Sequence, residues 1–432
     1  MYVKYVRDPV LGYIGMTEAE KHIIDTWPVQ RLRGISQLST TGITYPGGVH
    51  SRFSHALGTM HLAGQMVGSL RTGVEISDEE WQLVRLAGLL HDIGHGPFSH
   101  SYEEVLSKYM DMTHEDLGEK IVKESELADE ITAQGHDPKE VADLIFGGGG
   151  KPYLKQIVAS QVDADKMDFL LRDAYFTGVE YGQIDVHRLI QAMEVVENDI
   201  AIDMKALYAL EAFMISRYEM FLAVYYHHSV RAAEIMLRKA MEHAHEILGL
   251  TNFKDISEFL QLDDAYVVTA LRRLNPEDFE GEDRKEAERV REIMRKIGRR
   301  ELLKSAYRRE VHIKDEYVAN LLGDESVRHQ KEEQIAKKAK VDPEYVIVDV
   351  PTLASMPYYP REIAPMEVPI FKIGKNEEKE LVPLSEHSRL VNVLKGYIDI
   401  IRVFTLPEYR DAVGDAAEEV FKKLPLAAQI SM

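Results

Sequence analysis

The chain has 432 residues, a formal net charge of -20 and no cysteine. That length buries one large core or two smaller ones. Without thiols there are no disulfides and no thiolate metal sites, and the acidic balance excludes an extended nucleic-acid surface while leaving room for a local phosphate pocket.

Residues 2–15 alternate Val and Tyr with charges and break at Asp8-Pro9 and Gly12, the pattern of a short hairpin. The first residues lack the segments of a secretory signal, and no apolar run approaches the roughly 18–20 residues that cross a bilayer, so a cytoplasmic protein with no membrane partner is expected. Thr17-x-x-Glu20 opens a helix as a capping box. Gln30-Arg31-Leu32-Arg33 reads as a further helical segment, and Gly42 to Gly48 as a turn-rich link with a short strand. From Phe53 to Leu70, Phe53, Leu57, Met60, Ala63, Val67 and Leu70 recur at helical spacing, which puts His55 in the first turn. His61, six residues on, is rotated by about 240° and points elsewhere.

The run from Gln82 to Ile93 is apolar almost all round a helix, so it is buried, and it ends in His91-Asp92. A buried carboxylate and imidazole are tolerated where they pair or bind a cation, so the dyad asks for a counter-charge. Gly94 and Gly96-Pro97 stop the helix and leave His95 and His100 on the loop beyond. A helix begins at His114, and a charged one over 125–147 ends in the run Gly147–Gly150, which lacks the Lys-Ser/Thr of a nucleotide loop and reads as a hinge. A helix from Ile157 to Phe176 sets Asp165, Phe169 and Asp173 on one face. Long helical patterns from Met204 to Leu248 carry Arg217, Tyr225, His227 and His228, the two histidines at a helix interface. Glu277 to Lys304 is a solvated helix of mixed sign. Tyr345–Val350 reads as a strand, and Val368–Ile373 with Glu380–Val382 as a hairpin. Helical segments follow from Ser388 to Val403 and from Pro407 to Leu424. The fold class is mainly α, with a boundary near residue 310 between a helical catalytic lobe (1–310) and a smaller α+β lobe (311–432).

His55 stands in Arg52-Phe53-x-His55-x-Leu57-Gly58, and the dyad in His91-Asp92-x-Gly94-His95-Gly96-Pro97-Phe98-Ser99-His100. With Asp165-Lys166-x-Asp168 and Gln30-Arg31-Leu32-Arg33, this order of His, His-Asp and distant Asp resembles the HD phosphohydrolase superfamily, in its deoxynucleotide triphosphohydrolase branch. The resemblance implies an HD-domain helical core and a divalent metal ion held by His55, His91, Asp92 and Asp165; Mn, Fe, Mg, Ni and Zn all suit such nitrogen and oxygen donors. It implies His114 as general acid, Glu103 as the carboxylate that orients it, and His95 as a further catalytic histidine. Arg52 and Lys166 match phosphate-binding cations, Gln37 and Leu38 lie near the sugar, His100 beside the nucleotide, and Asp173 over the 3'-hydroxyl. Arg217 and Tyr225 correspond to a phosphate-binding Arg and a sugar-stacking Tyr. Phe169 departs from the family's Tyr, which removes a hydroxyl from the wall that selects deoxyribose. Asp25, Gln30 and Arg33 stand where the eukaryotic member of the branch binds an activating guanine nucleotide at a subunit interface. That implies a GTP or dNTP activator and a homodimer or homotetramer, although Lys4-Tyr-Val-Arg7 departs from a pattern that ends in Asn, and no SAM domain is expected ahead of the catalytic part.

The activity so implied is a dNTP triphosphohydrolase, releasing deoxynucleoside and triphosphate. One alternative is another HD phosphohydrolase acting on nucleoside monophosphates or cyclic nucleotides; against it, Ile93-Gly94-His95 follows the dyad in place of the Lys found in cyclic-dinucleotide enzymes. The other is a non-catalytic nucleotide-sensing oligomer, against which His95, Glu103 and His114 are all present.

Overall fold

The structure, a computed structural model, describes residues 2–313, 324–350, 368–374, 378–394 and 397–422. β1 (Lys4–Asp8) and β2 (Gly12–Met16) form the expected hairpin, in register from Lys4 opposite Met16 to Asp8 opposite Gly12. The Thr17–Glu20 capping box starts α1 (Glu18–Ile24), and α2 (Trp27–Arg31) follows. The strand expected within Gly42–Gly48 is a 3-10 turn over Thr41–Ile43 instead, because the N–H groups of Ile43 and Thr44 turn back onto the carbonyls of Thr40 and Thr41.

α3 (Arg52–Leu70) and α4 (Asp78–Leu90) approach closely because Gly88 faces Thr59 and Ala63; a Cβ there would lie 3.1 Å from the Thr59 carbonyl oxygen. α5 (His100–Met110) and α6 (His114–Glu124) follow the dyad. The single helix expected over 125–147 is two, α7 (Glu126–Ala133) and α8 (Pro138–Ile145), since Gly135 takes φ +83° and Asp137 caps a new start before Pro138. The helix expected from Ile157 begins only at Ala164: α9 (Pro152–Gln156) ends before it, and α10 (Ala164–Thr177) opens on the cap Asp163, which accepts from the Lys166 N–H. α11 (Val186–Gln191), the hairpin of β3 (Met193–Val196) and β4 (Asp199–Asp203), α12 (Leu207–Met220) and a π-helical turn Phe221–Tyr225 come next. His227 caps α13 (His228–Ala244), accepting from the Ser229 N–H. α14 (Ile256–Phe259), α15 (Asp264–Arg273) and α16 (Gly281–Gly298) complete the helical part.

β5 (Lys304–Ile313), β6 (Ile347–Asp349), β7 (Pro369–Ile373), β8 (Lys379–Pro383) and β9 (Tyr397–Thr405) build two sheets: β3-β4-β7-β8, with β4 and β7 parallel, and the antiparallel β5-β9-β6. Helices Glu325–Ala339 and Arg410–Phe421 bury Ile335, Val413, Ala417 and Phe421 with Ile401 and Val403 of the second sheet. The helix expected over Ser388–Val403 is helical only from Arg389 to Leu394; Tyr397–Thr405 is the central strand, paired on both edges, with Ile400, Ile401, Val403 and Phe404 buried. Residue 310 lies inside β5, and β7 pairs with β4 across the sequence. Turn residues 375–377 and the end of the last expected helix beyond 422 lie outside the described residues.

Candidate active site

The close packing of α3 on α4 sets the first turn of one beside the last turn of the other. His55 Nε2 lies 3.2 Å from His91 Nε2, 3.0 Å from Asp165 Oδ1 and 3.6 Å from Asp92 Oδ2; His91 Nε2 is 3.5 Å from Asp165 Oδ1. Four side chains from α3, the end of α4 and the start of α10 therefore share one centre. His91 donates its Nδ1–H to the Gly88 carbonyl at 2.9 Å, and His55 Nδ1 is 2.8 Å from Asp168 Oδ2. Both outer bonds hold the proton on Nδ1 and turn the Nε2 lone pairs toward each other. Two lone pairs at 3.2 Å repel unless a proton or cation stands between them. Burial disfavours the His55 imidazolium, but Asp165 and Asp168 outweigh it and push its pKa up to about 10. A pocket that raises the proton affinity of a histidine this far attracts a divalent cation for the same electrostatic reason, and cation binding displaces the proton. The donor set therefore fits a hard or borderline divalent metal, with His55, His91, Asp92 and Asp165 holding it.

A rigid support stands behind His55. Arg172 donates from Nε and Nη2 to the two oxygens of Asp168, both at 2.8 Å, and from Nη1 to Asp8 of β1 at 2.7 Å. Gly58 makes this approach possible, since a Cβ on it would lie 1.8 Å from Asp168 Oδ1.

On the other side, Arg52 is buried and forks: Nη1 meets Asp92 Oδ2, Nε donates to Ser99 Oγ at 2.7 Å, and Nη2 lies 3.3 Å from His100 Nε2. Burial alone raises the Asp92 carboxyl, yet Arg52 and His91 hold it well below the usual carboxylate range. Glu103 accepts from His100 Nδ1–H at 3.0 Å through one oxygen and from His114 Nδ1–H through the other. His114 stacks on His95 with ring centroids 4.0 Å apart. Burial disfavours the charged His114 ring, but the Glu103 hydrogen bond and charge raise its pKa; His95, buried and beside Arg52, is held neutral. His95, His100 and Glu103 also bring ligand atoms within 4.8 Å of one another, but both Glu103 oxygens are already taken by histidines.

A cavity of about 540 Å³ opens over these groups, lined by Arg52, His91, Asp92, His95, His100, Glu103, His114, Asp165 and Lys166. Lys166 Nζ donates to Asp163 at 2.9 Å, and Asp163 and Asp165 keep its ammonium charged against burial. The expected sugar wall lies outside this lining. Gln37, Leu38, Phe169, Asp173, Arg217 and Tyr225 are all buried, and the Asp173 carboxylate faces His50 Nε2 at 2.7 Å and the Tyr225 hydroxyl at 2.8 Å. Arg217 reaches the cavity indirectly, donating to the Gln161 side chain at 3.3 Å. Asp25, Gln30 and Arg33 gather with Lys4, Lys21 and Phe53 around a separate pocket of about 90 Å³, where Arg33 donates to Gln30 at 2.8 Å and stacks on Phe53. Sequence reasoning missed the supports Asp168, Ser99, His50 and Gln161. Asp168 and Ser99 stand within the quoted motifs, where no role falls to them; His50 and Gln161 carry no signal.

Fold and site together are those of an HD-domain protein with a place for a divalent metal. Residues 52–172 match the HD domain and residues 184–429 the HD associated region, and the chain belongs to this family. Its relatives include an uncharacterised Bacillus subtilis protein, 38% identical over 248 residues (56% of this chain, 56% of that protein). A Dictyostelium discoideum homologue of the deoxynucleoside triphosphate triphosphohydrolase SAMHD1 is 32% identical over 317 residues, 70% of this chain and 59% of that protein. The chain thus spans little more than half the length of these two relatives. The crystal structure of a hypothetical protein from Aquifex aeolicus superposes with a TM-score of 0.75 at 30% identity, covering 96% of this chain and 99% of that one. Among the described residues no helix is long and apolar enough to cross a membrane.

Proposed function

We propose that the chain hydrolyses dNTPs to deoxynucleoside and triphosphate. The observation that carries this reading is that His91, Asp92 and Asp165, with His55 buried 3.0 Å behind Asp165, and a second, proton-handling cluster of His95, His100, Glu103 and His114 meet at one cavity, with Arg52 and Lys166 as cations for phosphate. A bound divalent metal supplies Lewis acidity at the phosphate and lowers the pKa of water. Arg52 and Lys166 neutralise charge that accumulates on the phosphate oxygens as water adds at the α-phosphorus. Glu103 holds His114 by Nδ1, so that His114 Nε2 gives its proton to the departing 5'-oxygen as the bond from phosphorus to that oxygen breaks. Gln37, Leu38, Phe169, Asp173, Arg217 and Tyr225 are assigned to the sugar and outer phosphates; the bonds from Asp173 to His50 and Tyr225 are those that a sugar hydroxyl has to displace.

Among the supporting relatives is the Dictyostelium homologue, whose name states that activity. The test is a panel of dNTPs and NTPs with Mn or Mg, products resolved by chromatography. Deoxynucleoside plus triphosphate is expected; nucleoside monophosphate plus pyrophosphate sinks the proposal. His91→Ala and Asp92→Ala lose metal and activity together.

The pocket of Asp25, Gln30, Arg33, Lys4 and Lys21 pairs a carboxylate and an amide with three cations, the chemistry that recognises a guanine edge and its phosphates, and we assign it to an activating nucleotide in a homodimer or homotetramer. Adding GTP to the same panel raises the dNTP rate, and light scattering reads the assembly.

A further inference from the structure

One half-buried carboxylate with no place in that mechanism reaches the site from far along the chain. Asp264, the first residue of α15, accepts the Phe98 N–H at 2.7 Å through Oδ1, and the N–H and hydroxyl of Ser36 at 2.9 and 2.5 Å through Oδ2. Both partners sit in loops beneath Arg52. Phe98 and Ser99 take φ of +56° and +52°, a region that side chains with a Cβ disfavour, so the turn ahead of His100 needs bonds from elsewhere to persist. Ser99 supplies the next link: its hydroxyl donates to the Ser36 carbonyl at 3.0 Å and accepts the Arg52 Nε–H at 2.7 Å. The Arg52 N–H itself donates to the carbonyl of Ile35, beside Ser36. Asp264 therefore anchors a short chain, Ser36–Ser99–Arg52, at Ser36 and, through Phe98, beside Ser99; its far end is the guanidinium over Asp92 and His100.

We propose that Asp264 is a positioning residue for Arg52: it fixes the Phe98-Ser99 turn and Ser36 so that the guanidinium meets the phosphates of the substrate. The inference rests on the proposed reading only in taking phosphate as what Arg52 binds. None of the four metal-binding side chains touches Asp264 through these bonds, so its effect separates from metal loading.

The experiment is a double-mutant cycle of Asp264→Ala and Arg52→Ala on the metal-loaded full chain, reading kcat/KM for dNTP and, by calorimetry, the Kd for inorganic triphosphate. Asp264→Ala is expected to lower kcat/KM about 10- to 100-fold, the scale of a misplaced binding group, and to weaken triphosphate binding, with metal content unchanged. In the Arg52→Ala background the same substitution changes either quantity by less than about twofold, because residues acting as one unit do not add. Asp264→Asn keeps one oxygen for the Phe98 N–H but loses the acceptor for Ser36; it gives an intermediate loss and serves where Asp264→Ala does not fold. Equal losses in both backgrounds, a wild-type kcat/KM in Asp264→Ala, or loss of metal together with activity in Asp264→Asn overturns the proposal. Coupled effects on triphosphate binding without dNTP turnover would retire the substrate reading and leave the role of Asp264 standing; additive effects on a chain that does turn over dNTPs would do the reverse.

Discussion

Replacing Gly58 by Ala tests whether the metal-binding geometry depends on the support behind His55. On an isolated helix the change is favourable by about 1 kcal/mol. Here the new Cβ would lie 1.8 Å from Asp168 Oδ1 and 2.5 Å from Arg172 Nη2, closer than any contact real Cβ atoms make. Asp168 and Arg172 are fully buried and cannot swing into solvent, so either α10 moves off α3 or the carboxylate leaves His55. Overpacking of this kind costs about 1–3 kcal/mol, and loosening a buried ion pair adds to it, so the net effect is a loss of about 1–3 kcal/mol despite the helix gain. Losing the bond that orients a ligand histidine costs about 10- to 100-fold in metal affinity. Thermal unfolding of the chelated protein reads the first quantity, and calorimetric titration with Mn the second. A Gly58→Ala protein at least as stable as the wild type, binding metal equally well, would refute the argument that Asp168 orients His55.

His114→Ala should retain metal at wild-type stoichiometry while kcat falls about 100- to 10,000-fold, measured by metal analysis and steady-state rates on the same sample. Glu103→Gln removes the partner that raises the His114 pKa; the alkaline limb of the kcat–pH profile, where His114 loses its proton, then moves to lower pH. For stability the sign follows the same pair. The raised His114 pKa contributes stability that is fully present below its unfolded value and lost as pH rises through the folded one, whereas the depressed Glu103 contributes stability lost as pH falls into the acid range. The destabilisation caused by Glu103→Gln is therefore largest in mildly acidic solution, between the ordinary pKa values of glutamate and histidine, and shrinks on both sides, as urea titrations across pH measure. Chelation lowers the melting temperature and Mn restores it, a stabilisation of about 2.7 kcal/mol at a hundredfold excess over Kd; Asp92→Ala abolishes the response.

The centre of the site was legible because its chemistry is local. His91 and Asp92 are neighbours, Asp165 and Lys166 are neighbours, and an apolar helix leading into a charged dyad stands out against its surroundings. Its supports were not. Asp264 and Ser36 carry no signal of each other, since only the folded chain brings them to 2.9 Å. Periodicity sets Asp173 two turns past Asp165 on α10, but it could not foretell that His50 and Tyr225 face both its oxygens. Tyr397–Thr405 reads as helix because Asp399 and Arg402, three apart, break the alternation of a strand, and its strand partners lie as far off as Lys304.

The parallel pairing of β4 with β7 sets a schedule for synthesis. Ile202 waits for Ile370, about 170 residues later, and a ribosome adding about 5–20 residues per second takes some 8–35 s to deliver it. Until then one edge of the β3–β4 hairpin offers unpaired amides to any passing strand. A nascent chain halted before β7 is thus a ready nucleus for clumping, and chaperone demand during translation should concentrate in that interval.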